Sequence, residues 1–174
     1  NDTTPPDITV AAAADDAECQ GTDPNANTEY VAWLALNGGA IAADLCGNGV
    51  TWSNNAATQQ WSGTCTQTIT VTFTATDNCT NAASTTAVFT IYDTTPPDIT
   101  VAAAADDAEC QGTDPNANTE YVAWLALNGG AVAADLCGNG VTWSNNAASQ
   151  QWSGTCTHTI PLTFTATGNC TNAA

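Results

Sequence analysis

Eight cysteines, at positions 19, 46, 65 and 79 and again at 110, 137, 156 and 170, are the first residues whose type and spacing promise chemistry. Four per half, in the same spacing, is an even set for a small unit, and it reads as two disulfides per unit in an oxidising compartment. Zinc is the rival reading, but it favours close pairs such as Cys-x-x-Cys, and the chain has none. The single histidine, His158, stands where the first half has Gln67, so it cannot be the base of a mechanism common to both halves. With no Lys or Arg there is also no cationic side chain to stabilise an oxyanion. The chain is therefore read as a non-enzyme, and no catalytic residue is assigned.

Seventeen Asp and Glu set against no Lys or Arg give a formal charge of −17. Nothing can neutralise a phosphate backbone, which excludes nucleic-acid partners. Docking of a basic patch on an anionic membrane fails for the same reason. Only 10% of residues are charged and 43% are hydrophobic, a composition that can fund a core and does not describe an acidic disordered tail. No run of 18 apolar residues occurs, so neither membrane insertion nor a signal peptide is expected, and the chain reads as a mature or internal segment.

Two cysteines sit in matching acidic motifs, DLCGN at 44–48 and DNCTN at 77–81. Asp2, Asp44 and Asp77, joined by Asp15 and Asp16 and repeated as Asp93 and Asp135, would gather hard oxygen ligands suited to Ca2+ at a domain junction. The alternative is that Asp and Asn only cap turns beside a disulfide. Gly168 replaces Asp77 in the second half and would weaken such a site there.

Six tryptophans offer stacking faces for sugars, although three per unit are more simply core. Trp52 lies on an apolar strand pattern. Trp61 and its counterpart Trp152 lie in a polar loop, are expected to be exposed, and are the candidate ligand-binding residues. Threonine occupies every even position from 64 to 76. That row is read as a solvent-facing β surface, with a glycan carrier and an ice-binding face as alternatives. Asn1, Asn78 and Asn169 fit the N-x-S/T glycan acceptor pattern.

The elements that must position these residues come in two copies. Residues 2–83 align without gaps on 93–174, and only six of the 82 pairs differ: Ile41/Val132, Thr58/Ser149, Gln67/His158, Thr70/Pro161, Val71/Leu162 and Asp77/Gly168. Domains are expected at 1–92 and 93–174, the second without a counterpart of the last strand at 84–92, as in a window on a longer array. Strict period two at 64–77 and 84–92, around a turn at 78–82, predicts a hairpin of half-buried strands. Residues 7–11 and 50–54 are two more strands. Pro161, in place of Thr70, interrupts the threonine row of the second copy and cannot donate to the ladder. A helix is predicted from Asn27 or Thr28, with an apolar stripe of Tyr30, Val31, Trp33 and Leu34 and a stop at Asn37, Gly38 and Gly39. The fold class is mainly β: two tandem immunoglobulin-like β-sandwich domains, each with one short helical insertion. If 65–77 runs antiparallel to both the strand after Cys46 and the last strand, Cys46 pairs with Cys79 and Cys19 with Cys65, the preferred one of three connectivities. Cys137 with Cys170 and Cys110 with Cys156 correspond to these in the second copy.

The linker DTTPPDI, the segment AECQG, the helix YVAWLALNGGA, DLCGNGVTWSNN and FTATDNCTN before TTAVFTIYDTTPP together resemble the hyalin-repeat-like, Ig-type modules found in tandem in large secreted surface proteins and adhesins of Bacteroidetes. Thr80 stands where that family commonly has Gly. The resemblance implies an extracellular, often calcium-bound sandwich used as a stalk. It also implies O-glycosylation at Asp-Thr-Thr, that is, at Thr3 and Thr94. The expected function is a structural tandem-repeat module of a cell-surface fibre or adhesin stalk, disulfide-stapled and glycosylated, whose partners are neighbouring repeats. The alternative is a carbohydrate-binding adhesin module that binds surface glycans by avidity.

Overall fold

A computed structural model describes residues 2–47 and 49–174, which fall into two compact units, Asn1–Thr94 and Thr95–Ala174. In chain order the first unit carries β1 (Asp7–Val10), β2 (Asp15–Glu18), α1 (Thr28–Ala35), β3 (Ile41–Ala43), β4 (Val50–Asn54), β5 (Thr66–Asp77) and β6 (Ala82–Tyr92). The period-two segments form the hairpin β5–β6, in antiparallel register from Thr66↔Tyr92 to Thr76↔Ala82. Alternation turns Ile69, Val71, Phe73 and Ala75 of β5 inward with Ala87, Phe89 and Ile91 of β6, all buried. The threonine row turns outward and is bonded across the strands. Thr72 Oγ1 lies 3.2 Å from Thr86 Oγ1, and Thr74 Oγ1 lies 2.9 Å from Ser84 Oγ.

β4 pairs antiparallel with β5, as the cysteine geometry required, and β2 pairs parallel with β6, giving the order β2-β6-β5-β4. β1 and β3 form a separate antiparallel pair, bulged between Ile8 and Val10.

The helix begins at Asn27, whose Oδ1 accepts the backbone N–H groups of Glu29 and Tyr30 at 3.1 and 3.2 Å. Its Nδ2 donates to Glu18 O at 2.9 Å, which ties the helix start to β2. The predicted stripe narrows to Tyr30 and Trp33, which are buried, whereas Leu34 is half-buried and Val31 is 51% exposed. The i, i+3 pair suffices because both rings meet aromatic partners. Phe89 lies 5.3 Å from each, centroid to centroid, and Phe73 lies 5.1 Å from Trp33. The stop is a 3-10 turn in which Gly38 takes φ 64 and packs against Ala12, Phe73 and Trp33.

In the second unit β7 (Asp98–Val101), α2 (Thr119–Ala126), β8 (Val132–Ala134), β9 (Val141–Asn145) and β10 (Phe164–Gly168) repeat β1, α1, β3, β4 and the last part of β5. β9 and β10 keep the β4–β5 register. Residues 102–111 and 155–163, the counterparts of 11–20 and 64–72, carry no strand. Of the β6 position only the start is occupied, Ala173 bridging Thr167 and Ala174 bonding Ala166 in both directions at 3.1 and 2.9 Å, and no described residue of this unit lies along the rest. Its core is correspondingly open. Tyr121, Trp124 and Phe164 are half-buried, while Ala108 and Cys110 are exposed where Ala17 and Cys19 are buried.

Pro161 interrupts the threonine row of the second copy, and the donor it lacks lies on the outer side of its segment. In the first unit Thr68 N–H donates to Ser62 O at 2.8 Å and Thr72 N–H to Asn55 Oδ1 at 2.9 Å, so positions 68, 70 and 72 aim their main-chain groups away from β6. Thr159 and Thr163 keep this pattern, donating to Ser153 O and Asn146 Oδ1 at 2.9 Å each. The N–H that Pro161 lacks belongs to that same outer side, and the edge facing the β6 position keeps its donors. Among the described residues no helix is long and apolar enough to cross a membrane.

Candidate functional site

The β5–β6 turn gathers most of the acidic motif. Asp77 is 4% exposed, and its Oδ1 accepts the backbone N–H groups of Cys79 and Asn81 at 2.8 and 2.9 Å. Asn81 Nδ2 donates to Asp77 Oδ2 at 2.8 Å and reaches Asp2 O at 3.4 Å. Burial pushes the Asp77 carboxyl up, but the bonds from Asn81 and Cys79 outweigh it and leave the pKa below its ordinary 3.8. Asp77 is thus the cap of an Asx turn, and it lets Thr80 sit at φ 69.

Beside it, one carboxylate oxygen each of Asp2 and Asp44 and the Sγ of Cys46 lie within 4.8 Å of one another. The hydrogen bond to Asp2 raises the Cys46 pKa most, followed by desolvation and the charges of Asp2, Asp44 and Cys79. Desolvation, then Asp2, Asp77 and Asp44, raise that of Cys79. Both thiols are held in the protonated, weakly nucleophilic form.

The group offers two carboxylate oxygens and a thiol sulfur, where Ca2+ takes oxygens alone, and Asp77 is engaged in its own turn. Asp15 and Asp16 do not join it, because they pair with Phe89 and Thr90 while Ala82 marks the turn end of β6. Asp93 belongs to the first unit and donates its backbone N–H to Cys65 O at 2.9 Å. In the second unit Asp135 Oδ1 accepts from Cys137 N–H at 2.8 Å, and its Oδ2 is buried without a hydrogen-bond partner. A Cβ on Gly168 would fall on Asn172 Oδ1 and lie 2.8 Å from Asp135 Oδ2, so these two side chains take up the room that the aspartate uses in the first copy.

The cysteines divide differently in the two units. Cys19 and Cys65 are disulfide-bonded in the first, and Cys137 and Cys170 in the second. Cys46, Cys79, Cys110 and Cys156 are exposed free thiols, which corrects the expectation that all eight are bonded. The bonded positions of one unit are the free positions of the other. The physical reasons differ. Cys46 and Cys79 sit among the carboxylates of Asp2, Asp44 and Asp77, which disfavour the thiolate needed for exchange. Cys19 and Cys65 flank the end of β6, where Cys19 N–H donates to Tyr92 O at 2.7 Å and Asp93 N–H to Cys65 O at 2.9 Å. Cys110 and Cys156 have no such strand between them.

Trp61 is half-buried, not exposed as its polar loop implied. Its Nε1 donates to Asn25 Oδ1 at 3.0 Å, and its ring meets Tyr30 edge-on at 4.9 Å. Trp152 repeats this with Asn116 at 3.0 Å and Tyr121 at 4.9 Å. Both serve as staples over the helix, and Trp52 is half-buried on β4. Of the glycan candidates, Asn78 and Asn169 are exposed, each followed by a threonine at positive φ. Thr3 is exposed. Thr94 Oγ1 donates to Glu18 Oε2 at 2.7 Å, and its N–H donates to Oε1 at 2.8 Å. Asn1 lies outside the described residues. No protein family's sequence profile matches this chain, and no curated protein matches it.

Proposed function

We propose that the chain is a run of structural tandem-repeat modules from an extracellular cell-surface fibre or adhesin stalk, each module an immunoglobulin-like sandwich of the hyalin-repeat type stapled by disulfides. The observation that carries this reading is the repetition itself: two successive compact units that differ at six of 82 aligned positions. A unit copied this closely adds length, because stability in such arrays is nearly a sum over repeats. The bonded cysteines support an oxidising, extracellular setting.

The outward threonines support the same reading. They satisfy one another across β5 and β6 and keep the sheet face polar without charge. Thr3 is the favoured glycan carrier, because the Thr94 hydroxyl is already committed to Glu18. Electron microscopy of the native material tests the proposal. Filaments with a period of one or two units are expected, and discrete globular particles would overturn it. A glycan array separates this reading from the adhesive one: saturable binding that is lost in Trp61→Ala would show that the module recognises sugar.

A further inference from the structure

Three connections of the first unit meet at one end of it. β1 begins where β3 ends, at Asp7↔Ala43, and β4 begins where β5 ends, at Val50↔Asp77. The segment before β1, the β3–β4 connection and the β5–β6 turn therefore lie together, and Asn81 Nδ2 in the turn reaches Asp2 O at 3.4 Å. These connections carry Asp2, then Asp44 and Cys46, then Cys79. One carboxylate oxygen each of Asp2 and Asp44 and the Sγ of Cys46 lie within 4.8 Å of one another, and Cys79 is near enough to interact electrostatically with Cys46. The backbone holds two of the four in place. Asp2 Oδ1 accepts Thr4 N–H at 3.0 Å, while its Oδ2 is buried and has no hydrogen-bond partner. Asp77 Oδ1 fixes Cys79 through its N–H at 2.8 Å. No Lys or Arg exists in the chain to offset these groups, and the one histidine belongs to the second unit.

We propose that Asp2, Asp44, Cys46 and Cys79 form a binding site for one Zn2+ ion, which clasps the three connections at that end of the first unit. The donor set selects the metal. Two oxygens and two sulfurs suit the four-coordinate, borderline-soft Zn2+, whereas Ca2+ and Mg2+ take oxygen and leave sulfur unused. The cysteines lack a Cys-x-x-Cys spacing in sequence, and strand pairing supplies their proximity instead. Binding exchanges the two thiol protons, released to water, for the ion. No electrons move, so no oxidant is needed. The site belongs to the first unit alone. Cys137 and Cys170, the counterparts of Cys46 and Cys79, are disulfide-bonded and offer no thiolate, and Gly168 replaces the Asp77 whose turn holds Cys79. One ion per chain follows.

The test uses the full 174-residue chain with Cys110→Ser and Cys156→Ser, so that Cys46 and Cys79 are the free thiols that remain. It is titrated with Zn2+ and, separately, with Ca2+, and alkylation of each cysteine is followed by mass spectrometry. Zn2+ should slow alkylation of both thiols by about tenfold or more, because a metal-bound sulfur is not free to attack, and the two should saturate together at one ion per chain. Ca2+ at the same concentration should leave both rates unchanged. Co2+ in place of Zn2+ should give a thiolate-to-metal charge-transfer absorption. Asp2→Asn keeps the oxygen that caps Thr4 and drops the charge; it and Asp44→Asn should each weaken Zn2+ binding by about tenfold or more, since even outer partners of a metal are worth that much. Unchanged hydrogen exchange at Ile69, Val71 and Phe73 verifies that each variant is folded. The proposal is overturned by any of four outcomes: no saturable protection, equal protection by Ca2+, undiminished Zn2+ binding in both Asp variants, or a disulfide between Cys46 and Cys79 in the protein as isolated.

Discussion

Phe89→Ala is the sharpest test of the first unit's core. Phe89 is fully buried on β6, with its ring 5.3 Å from those of Tyr30 and Trp33, so truncation empties the space that joins the sheet to the helix. Phe→Ala changes in packed cores cost about 3–5 kcal/mol in all, and the loss of two aromatic pairs places this one in the upper part of that range, at about 4–5 kcal/mol. For a domain of this size that lowers Tm by roughly 16–40 °C, at about 4–8 °C per kcal/mol. Hydrogen exchange assigns the loss to the right unit. The amides of Ile69, Val71 and Phe73 bond to β6, and if they exchange by unfolding of the unit they should speed up by about a thousandfold, one decade per 1.4 kcal/mol. Val88→Ala is the matched control. Val88 is the next residue but points outward at 36% exposure, and it should cost no more than about 1 kcal/mol. If Phe89→Ala shifts those amides by less than tenfold, or if the two substitutions cost the same, the assignment of inner and outer faces on β6 is wrong.

Gly38→Ala should destabilise the first unit by about 2–4 kcal/mol in urea unfolding, since it combines a left-handed φ with overpacking: the new Cβ would lie 3.0 Å from Ala12 Cβ and 3.1 Å from Phe73 Cε2. Asn27→Ala should cost about 2–3 kcal/mol by the same measurement, a lost cap plus a Glu18 carbonyl left without its bond from Nδ2. Asp77 has a folded pKa below its ordinary 3.8, so its stabilisation is complete above about pH 4–5 and is lost as pH falls through the depressed value. Asp77→Asn should therefore be less stable than the parent at pH 7, and the gap should close in acid. A gap that holds constant from pH 7 to pH 2 would refute the turn as its source.

How much of this was legible beforehand depends on whether a feature is local. The β5–β6 alternation, the Asn27 cap and the Gly38 stop are written in adjacent residues, and each is found at or within a residue or two of its expected place. β2 was not legible, because Asp15-Asp-Ala-Glu18 has no apolar alternation and becomes a strand only by lying parallel to β6, more than seventy residues away. Trp61 misled for a related reason. Its loop neighbours are polar, and the Tyr30 and Asn25 that bury it are distant in sequence. The strand directions on which the expected cysteine pairing rests are found, β5 running antiparallel to both β4 and β6. That only half of each set is bonded was not legible, because it depends on the carboxylates around one couple and on the surroundings of the other.

The absence of Lys and Arg also has a structural counterpart in where the carboxylates find partners. Asp23 takes the N–H of Asn25, Asp2 that of Thr4, Asp135 that of Cys137, and Asp77 those of Cys79 and Asn81. Every one of these bonds spans four residues or fewer, so these acids shape turns; Glu18, which accepts from Thr94, and Asp2, bonded to Cys46, reach further. Most long-range cohesion in the first unit falls to the aromatic cluster, the hydroxyl pairs across β5 and β6 and the disulfide-bonded cysteines, none of which depends on the sign of a neighbour's charge. A unit built this way can be copied in tandem without negotiating ion pairs with the next copy. Its weak point is the strand on which most of that cohesion converges, β6, which carries Phe89 and the outward hydroxyls that meet β5.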